Sequence, residues 1–338
     1  MFGSVVLLLF YLAAVFCEFI AVSDPSKRFA KFMYAPPQRI RFFDTEKRFH
    51  LRPFVYGLER SIDPVSLMMT YSEVESEKYP IHLFVRGDPY KMWGLIDWDV
   101  HLFGIKGDGV FFLLGSDRLG RDFYSRIMYG IRISVSIGLV GIAITFVLGC
   151  IMGGISGYFG GRADLVIQRI IEFLMSIPTI PFWMALSAAL PRFWPAVRVY
   201  FFITLILSMI SWTGLARVVR GKLISTREED FVMAAVVSGA SSGSIIGRHL
   251  LPSFLSYIIV NLTLSIPAMI LGETALSFLG LGLRPPVISL GVLLKEAQDL
   301  SIIALYPWLL IPGLFVIIFV ISFNFMGDGL RDAADPYH

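Results

Sequence analysis

The chain has 338 residues, of which 56% are hydrophobic and only 16% charged, too much apolar surface for a soluble globular fold to bury. An all-α polytopic membrane protein surrounded by lipid is expected instead. The formal net charge is +3, and no nucleic-acid partner is expected. Cys17 and Cys150 both fall in apolar runs, so no disulfide framework stabilises any part of it.

Six apolar runs have the length of about 17 to 25 residues that a bilayer crossing needs: residues 5–22, 133–155, 173–190, 199–216, 254–271 and 304–326. The first has no preceding Lys or Arg and no small-x-small cleavage site, so residues 1–22 are expected to stay as a first membrane helix. The lack of a polar head before Val5 leaves room for a start further upstream. Glu18, near its outer end, needs the interface or a neighbouring helix. Pro178, Pro181 and Pro267 inside runs predict kinked helices whose freed carbonyls are satisfied by neighbours.

Residues 23–132 differ in composition. Between Ser23 and Leu114 stand thirteen Lys or Arg, twelve Asp or Glu and seventeen aromatics, a mixture that folds and does not form a tether. Alternation over residues 81–85 and 96–102 predicts short strands with Gly87-Asp88-Pro89 as the turn between them, hence a small β-containing domain. His50, His82 and His101 lack metal-ligand spacing, and no metal site is expected.

Basic residues in the short connections set the orientation. Arg162, Arg169, Arg217, Arg220, Lys222, Arg227, Arg248 and Arg331 lie on one side, and Arg192, Arg198, Arg284 and Lys295 on the other. The excess places both termini and the loop of residues 220–253 in the cytoplasm of a cell-membrane protein, and residues 23–132 outside.

That loop is predicted to be a helical hairpin. Ser225 and Thr226, each three residues before Glu228 and Glu229, form overlapping capping boxes, so a helix should begin near Arg227. Glu228, Glu229 and Asp230 favour the positive end of its dipole. Phe231, Ala234, Ala235 and Ser238 form one face, with a single large knob beside small residues. Gly239 closes the helix, and Ser242 or Ser244 caps a second one running to Leu251. Such a hairpin suits a helix-in-groove contact with a partner.

Several chemistries are missing. No P-loop occurs, since Gly221-Lys222 lacks the upstream glycine and is followed by Leu223, and there is no H-E-x-x-H. Gly239-Ala240-Ser241-Ser242-Gly243 matches G-x-S-x-G formally, but a charged helix precedes it where a nucleophile elbow needs a buried strand. No catalytic residue is assigned.

Met233-Ala234-Ala235, Gly239, Ala240 and His249-Leu250-Leu251-Pro252 resemble the E-A-A, x3, G, x9, I-x-L-P loop of ABC-importer permeases, departing from it at Met233 and His249. Gly115-Ser116-Asp117-Arg118-Leu119-Gly120-Arg121-Asp122 is similar to the G-T-D-x-L-G-R-D segment of the peptide and nickel (OppC/DppC-like) permeases. Asp122 there can cap a short interfacial helix on which Phe123, Ile127 and Met128 rest on the membrane, with Arg118, Arg121 and Arg126 wet. Gly157-Tyr158-Phe159-Gly160-Gly161, the run from Leu276 to Gly282 with Pro285-Pro286, and the run from Phe323 to Pro336 match further motifs of that subgroup in order.

The resemblance implies a type I ABC importer permease fold. This chain would form half of a translocation pathway beside a second homologous permease, two ATPase subunits that bind ATP and Mg, and an external solute-binding protein; it would hold no cofactor itself. Glu229, Asp230, Phe231, Ala234, Ala235, Gly239, Ala240, Leu251 and Pro252 would meet the ATPase, and Gly115, Asp117, Gly120, Arg121 and Asp122 would be structural. Residues 133–326 would be a five-helix core and residues 327–338 a cytoplasmic tail. Peptides are the expected cargo, with nickel or sugar- and opine-type solutes as alternatives. A secondary transporter would carry mid-membrane ionisable residues, whereas Glu172 and Glu273 lie near run ends. A membrane-anchored sensor or enzyme would not need the hairpin.

Overall fold

The computed structural model describes residues 1–62, 64, 69–107, 109–191 and 193–334. Arg192 and the last two motif residues, Asp335 and Pro336, lie outside that range. The chain forms two compact units, one from Met1–Leu8, Ser134–Pro286 and Val316–His338, the other from Leu9–Ile133 and Val287–Phe315.

The second unit begins at Leu9, within the apolar helix α1 (Phe2–Val15), which breaks at Phe16 and continues as α2 (Cys17–Ile20). Strands β1 (Arg41–Phe43), β2 (Phe49–Ile62), β3 (Met69–Met92) and β4 (Ile96–Ile105) form an antiparallel sheet in sequence order. The expected strand at residues 81–85 is the middle of β3. Gly87-Asp88-Pro89 is not the turn. Arg86 pairs with Val100 and Tyr90 with Trp98, so three residues of β3 face one of β4 and form a bulge. His101 holds that bulge, its Nδ1 2.6 Å from the Ala21 carbonyl and its Nε2 3.0 Å from that of Asp88. The turn falls at Trp93-Gly94-Leu95, where Gly94 takes φ +72°.

The unit is tied together by buried charge. Asp117 accepts from the amides of Leu119 (2.8 Å) and Arg121 (2.9 Å) and from Arg121 Nε (2.6 Å), closing the turn of the Gly115–Asp122 motif. Gly120, at φ +70°, lies so close to the Phe29 carbonyl that a Cβ would sit 2.1 Å from it. Arg126 was expected in water but is 1% exposed, pairing with Asp117 (3.2 Å) and Glu296 (3.5 Å). Phe123, Ile127 and Met128 are likewise buried in protein. Asp122 does cap a helix, accepting from Ser125 N at 2.7 Å, but the helix is no short interfacial piece. It is the start of α3 (Phe123–Phe159). Glu296 directly follows the short helix α11 (Leu290–Lys295); α12 (Leu300–Leu305) comes next, then the last helix, α13 (Ile311–Ala334), which runs eight residues past Met326 and from Val316 on belongs to the first unit.

The first unit is helical. Beyond α3 it contains α4 (Gly161–Ser176), α5 (Thr179–Ala188), α6 (Ala196–Thr226) and α10 (Leu255–Phe278), with four short helical elements between the last two. Gly160 and Gly161, at φ +64° and +56°, reverse the chain between α3 and α4. Among the described residues four helices are long and apolar enough to cross a membrane: Phe123–Phe159, Ala196–Thr226, Leu255–Phe278 and Pro307–Ala333. The run at residues 173–190 is not one straight helix. α4 and α5 meet at 85° where Pro178 interrupts the amide ladder, and as one broken span they would make a fifth. Helix α1, at 14 residues, is by itself shorter than a full bilayer crossing needs.

α3 and α6 approach closely along Gly149, Gly153 and Gly157. A Cβ on these would stand 2.7 Å from Leu215, 2.5 Å from the Ala216 carbonyl and 2.8 Å from Leu223. Four-residue spacing puts all three on one face, and small residues allow the backbones to touch. Arg220 of α6 clamps Asp164 of α4 through two bonds (2.5 and 2.6 Å), and Ser156 of α3 donates to the same carboxylate.

Candidate functional site

The hairpin starts where α6 ends. Ser225 and Thr226 do not cap a new helix: their hydroxyls donate back to the Lys222 carbonyl at 2.8 and 2.9 Å, because α6 continues through Thr226 with Leu223 buried in the core. Helix α7 (Asp230–Val237) begins three residues later than expected, with Glu229 at its N-cap making no side-chain capping bond. Gly239 adopts φ +75° and turns the chain, as expected of a helix-closing glycine. Ser241 is the next cap, one residue before the expected Ser242. Its hydroxyl accepts from Ser244 N at 3.4 Å. The chain then passes through α8 (Ser242–Ser244), a π-helical turn at Ile245–Leu250 and α9 (Leu251–Ser253) into α10.

Two faces of the hairpin have different fates. Val232, Ala235, Ile245 and Leu250 are buried in one cluster with Cys150 of α3, Leu215, Val219 and Leu223 of α6, and Ile258 of α10, and Ala240 and Leu251 pack against its edge. The other face is open. Phe231, Met233, Val236 and Val237 are 40%, 52%, 46% and 86% exposed, beside exposed Glu229, Asp230 and Ala234. Pro252 is exposed as well.

The sequence reading grouped Phe231 with Ala235, but these point apart. The inward pair is Val232 and Ala235, an i, i+3 spacing visible in the sequence, whereas Met233, Val236 and Val237 lie outside the face of Phe231, Ala234, Ala235 and Ser238 that small residues had suggested. Four uncovered apolar side chains on eight residues of helix make an adhesive surface, rimmed by acidic groups at the helix start. The inner face is embedded among α3, α6 and α10, so the hairpin is packed directly onto three long helices. Of the remaining motifs, Leu276–Gly282 is a helix terminus: Gly280 takes φ +77° and the amides of Leu281 and Gly282 return to the Leu276 carbonyl at 2.9 and 2.8 Å. Glu273 is fully buried in α10, bonded to the hydroxyls of Ser134 (2.9 Å) and Ser277 (2.8 Å).

A solved inward-facing structure of the MetNI methionine ABC transporter aligns with 62% of this chain and 96% of its own matched chain, at 18% identity and TM-score 0.47. The family described as "Binding-protein-dependent transport system inner membrane component" matches residues 145–337, more than half of the chain and inclusive of the hairpin. The oligopeptide transport system permease protein OppC of Haemophilus influenzae is 40% identical over 241 residues, 71% of this chain and 75% of that protein. The dipeptide transport system permease protein DppC of Bacillus subtilis is 39% identical over 223 residues, 66% of this chain and 68% of that one. By the family match and these relatives, the chain belongs to the binding-protein-dependent transport system inner membrane components and is a multi-pass permease subunit of an ABC transporter, not an enzyme.

Proposed function

We propose that this chain forms half of the pathway by which an ATP-driven importer of the type I fold moves peptides inward, and that residues 220–253 receive a separate ATPase. The cargo reading rests on the oligopeptide and dipeptide systems named for its relatives. The coupling reading rests on one observation, the hairpin with an inner face locked among α3, α6 and α10 and an uncovered apolar outer face. An ATPase pair that closes on ATP would pull on that outer face and rock the helices as rigid bodies between two accesses. The coupling is a difference in ATPase affinity between the two permease states, so it acts reciprocally on substrate handling.

In this reading ATP and Mg stay in two ATPase subunits, a second homologous permease completes the pathway, and an external solute-binding protein delivers the cargo. The membrane is crossed six times, with α1 and α2 as the first span and α4 with α5 as a broken third. Both termini are cytoplasmic, residues 23–132 are outside, where they meet the binding protein, and Gly115, Asp117, Gly120, Arg121 and Asp122 serve structure.

Co-purification from native membranes in mild detergent tests the coupling surface. Val236→Glu with Val237→Glu alters two exposed side chains and leaves Val232 and Ala235 in place. Wild type should bring down a P-loop ATPase and a second permease; the double variant should keep the permease and lose at least tenfold of the ATPase. Undiminished ATPase with the variant would move the contact off this hairpin. Uptake of labelled peptide into vesicles, competed by unlabelled peptide but not by nickel or sugars, checks the cargo.

A further inference from the structure

We propose that the tip of the β3–β4 hairpin is a membrane-interface anchor, with Trp93, Leu95, Ile96 and Trp98 inserted at the boundary between lipid headgroups and acyl chains. These four side chains are 49%, 81%, 49% and 47% exposed and form a contiguous apolar cap around a tight turn. The occupant follows from where the tip is fastened. Trp93 Nε1 donates to the carbonyl of Val15, the last residue of α1, at 2.8 Å, and its backbone N–H donates to Glu18 Oε1 at 3.3 Å. Phe16 lies 6.0 Å from the Trp93 ring, and Phe19 lies 6.1 Å from Phe84 of β3.

Helix α1 carries its own uncovered apolar stripe, Leu9, Leu12 and Val15, exposed at 60%, 43% and 44%, which leads straight to the Trp93 contact. The apolar run of residues 5–22, long enough for a bilayer crossing, gives way to Ser23-Asp24 just beyond α2. Val15 to Ile20 therefore sit where the bilayer's hydrocarbon ends. Arg132 marks the same level, its guanidinium on Glu18 and on the carbonyls of Ala14 and Val15, and tryptophan beside arginine is the side-chain signature of a membrane–water boundary. The charges behind the tip are matched, Lys91 with Asp97 and Arg86 with Asp99, so the patch offers apolar surface without a net electrostatic handle for a protein partner. A hairpin pinned to the end of a membrane helix, with two indoles and two aliphatic side chains turned outward, fits lipid.

Site-directed spin labelling in the assembled transporter tests this. A nitroxide is placed at Leu95→Cys and, as a reference, at Leu51→Cys, which is 86% exposed on β2; Cys17 and Cys150 are buried. The complex is reconstituted in phosphatidylcholine/phosphatidylglycerol nanodiscs. Collision with oxygen, which concentrates in lipid, should exceed collision with water-soluble nickel(II) ethylenediamine-diacetate several-fold at position 95, with the reverse at position 51. A label at position 95 that favours the nickel reagent lies in water and overturns the proposal. A label shielded from both reagents lies under a protein partner and overturns it equally.

Discussion

Asp122 closes the first turn of α3 while 1% exposed, and burial pushes its carboxyl up to about 6, with Asp117 pushing the same way and the bonds from Ser125 opposing. A carboxyl raised in the folded state gives stability that is complete below its unfolded value near 4 and is lost as pH climbs through about 6. The loss is on the order of 3 kcal/mol. Thermal unfolding of the purified chain between pH 4 and pH 7 should show the fall, and Asp122→Asn, which keeps an acceptor for the cap, should flatten most of it. Glu296, also raised by burial, should leave a residual slope in the same direction. Arg132→Gln isolates a different cost, because it strands the Glu18 carboxylate, 5% exposed, without its partner. That should cost about 3 kcal/mol, with Glu18→Gln on top of it restoring part, as a double-mutant cycle of melting temperatures would read. Little of this was legible in the sequence. Asp122 as a cap could be read from its neighbours, but Arg126 looked solvated because Glu296 lies far along the chain, and spacing carries no signal for such a pair.

At the scale of elements, α3 and α6 depend on the absence of side chains. Gly153→Val should force their backbones apart, since even a Cβ stands 2.5 Å from the Ala216 carbonyl, at a cost of about 1–3 kcal/mol. Gly214→Ala on α6, where nothing lies within 4 Å, is the matched control and should be neutral or slightly stabilising. Melting temperatures of the two variants in one detergent decide it. Apolar runs located the long helices well, because an uninterrupted run carries its own evidence. Run length could not show that Pro178 bends α4 against α5 by 85°, since a proline in lipid can kink a helix or end it. Alternation found β4 but mistook a bulge for a turn, because Gly-Asp-Pro has the composition of both and only the pairing of Arg86 and Tyr90 across β4 distinguishes them. The hairpin was legible as two helices around Gly239, whereas which of its faces is buried depends on α3, α6 and α10 and could not be read locally.

At the scale of the whole molecule, each compact unit is assembled from segments far apart in sequence, so the second must wait for synthesis to reach Phe315 and the first for the last helix. The outer face of α7 then remains uncovered until a partner arrives. Exposed apolar side chains such as Phe231, Met233, Val236 and Val237 are the kind of surface by which quality control recognises an incompletely assembled subunit. Expressed without its ATPase, the chain should turn over faster than in the full complex, and Met233→Ser with Val237→Ser should lengthen the orphan's half-life at least twofold in a pulse-chase. Equal half-lives would mean the face goes unread. If it is read, the helix proposed to take force from the ATPase would also meter the permease's abundance, and surplus subunit would be removed by the surface that the assembled complex covers.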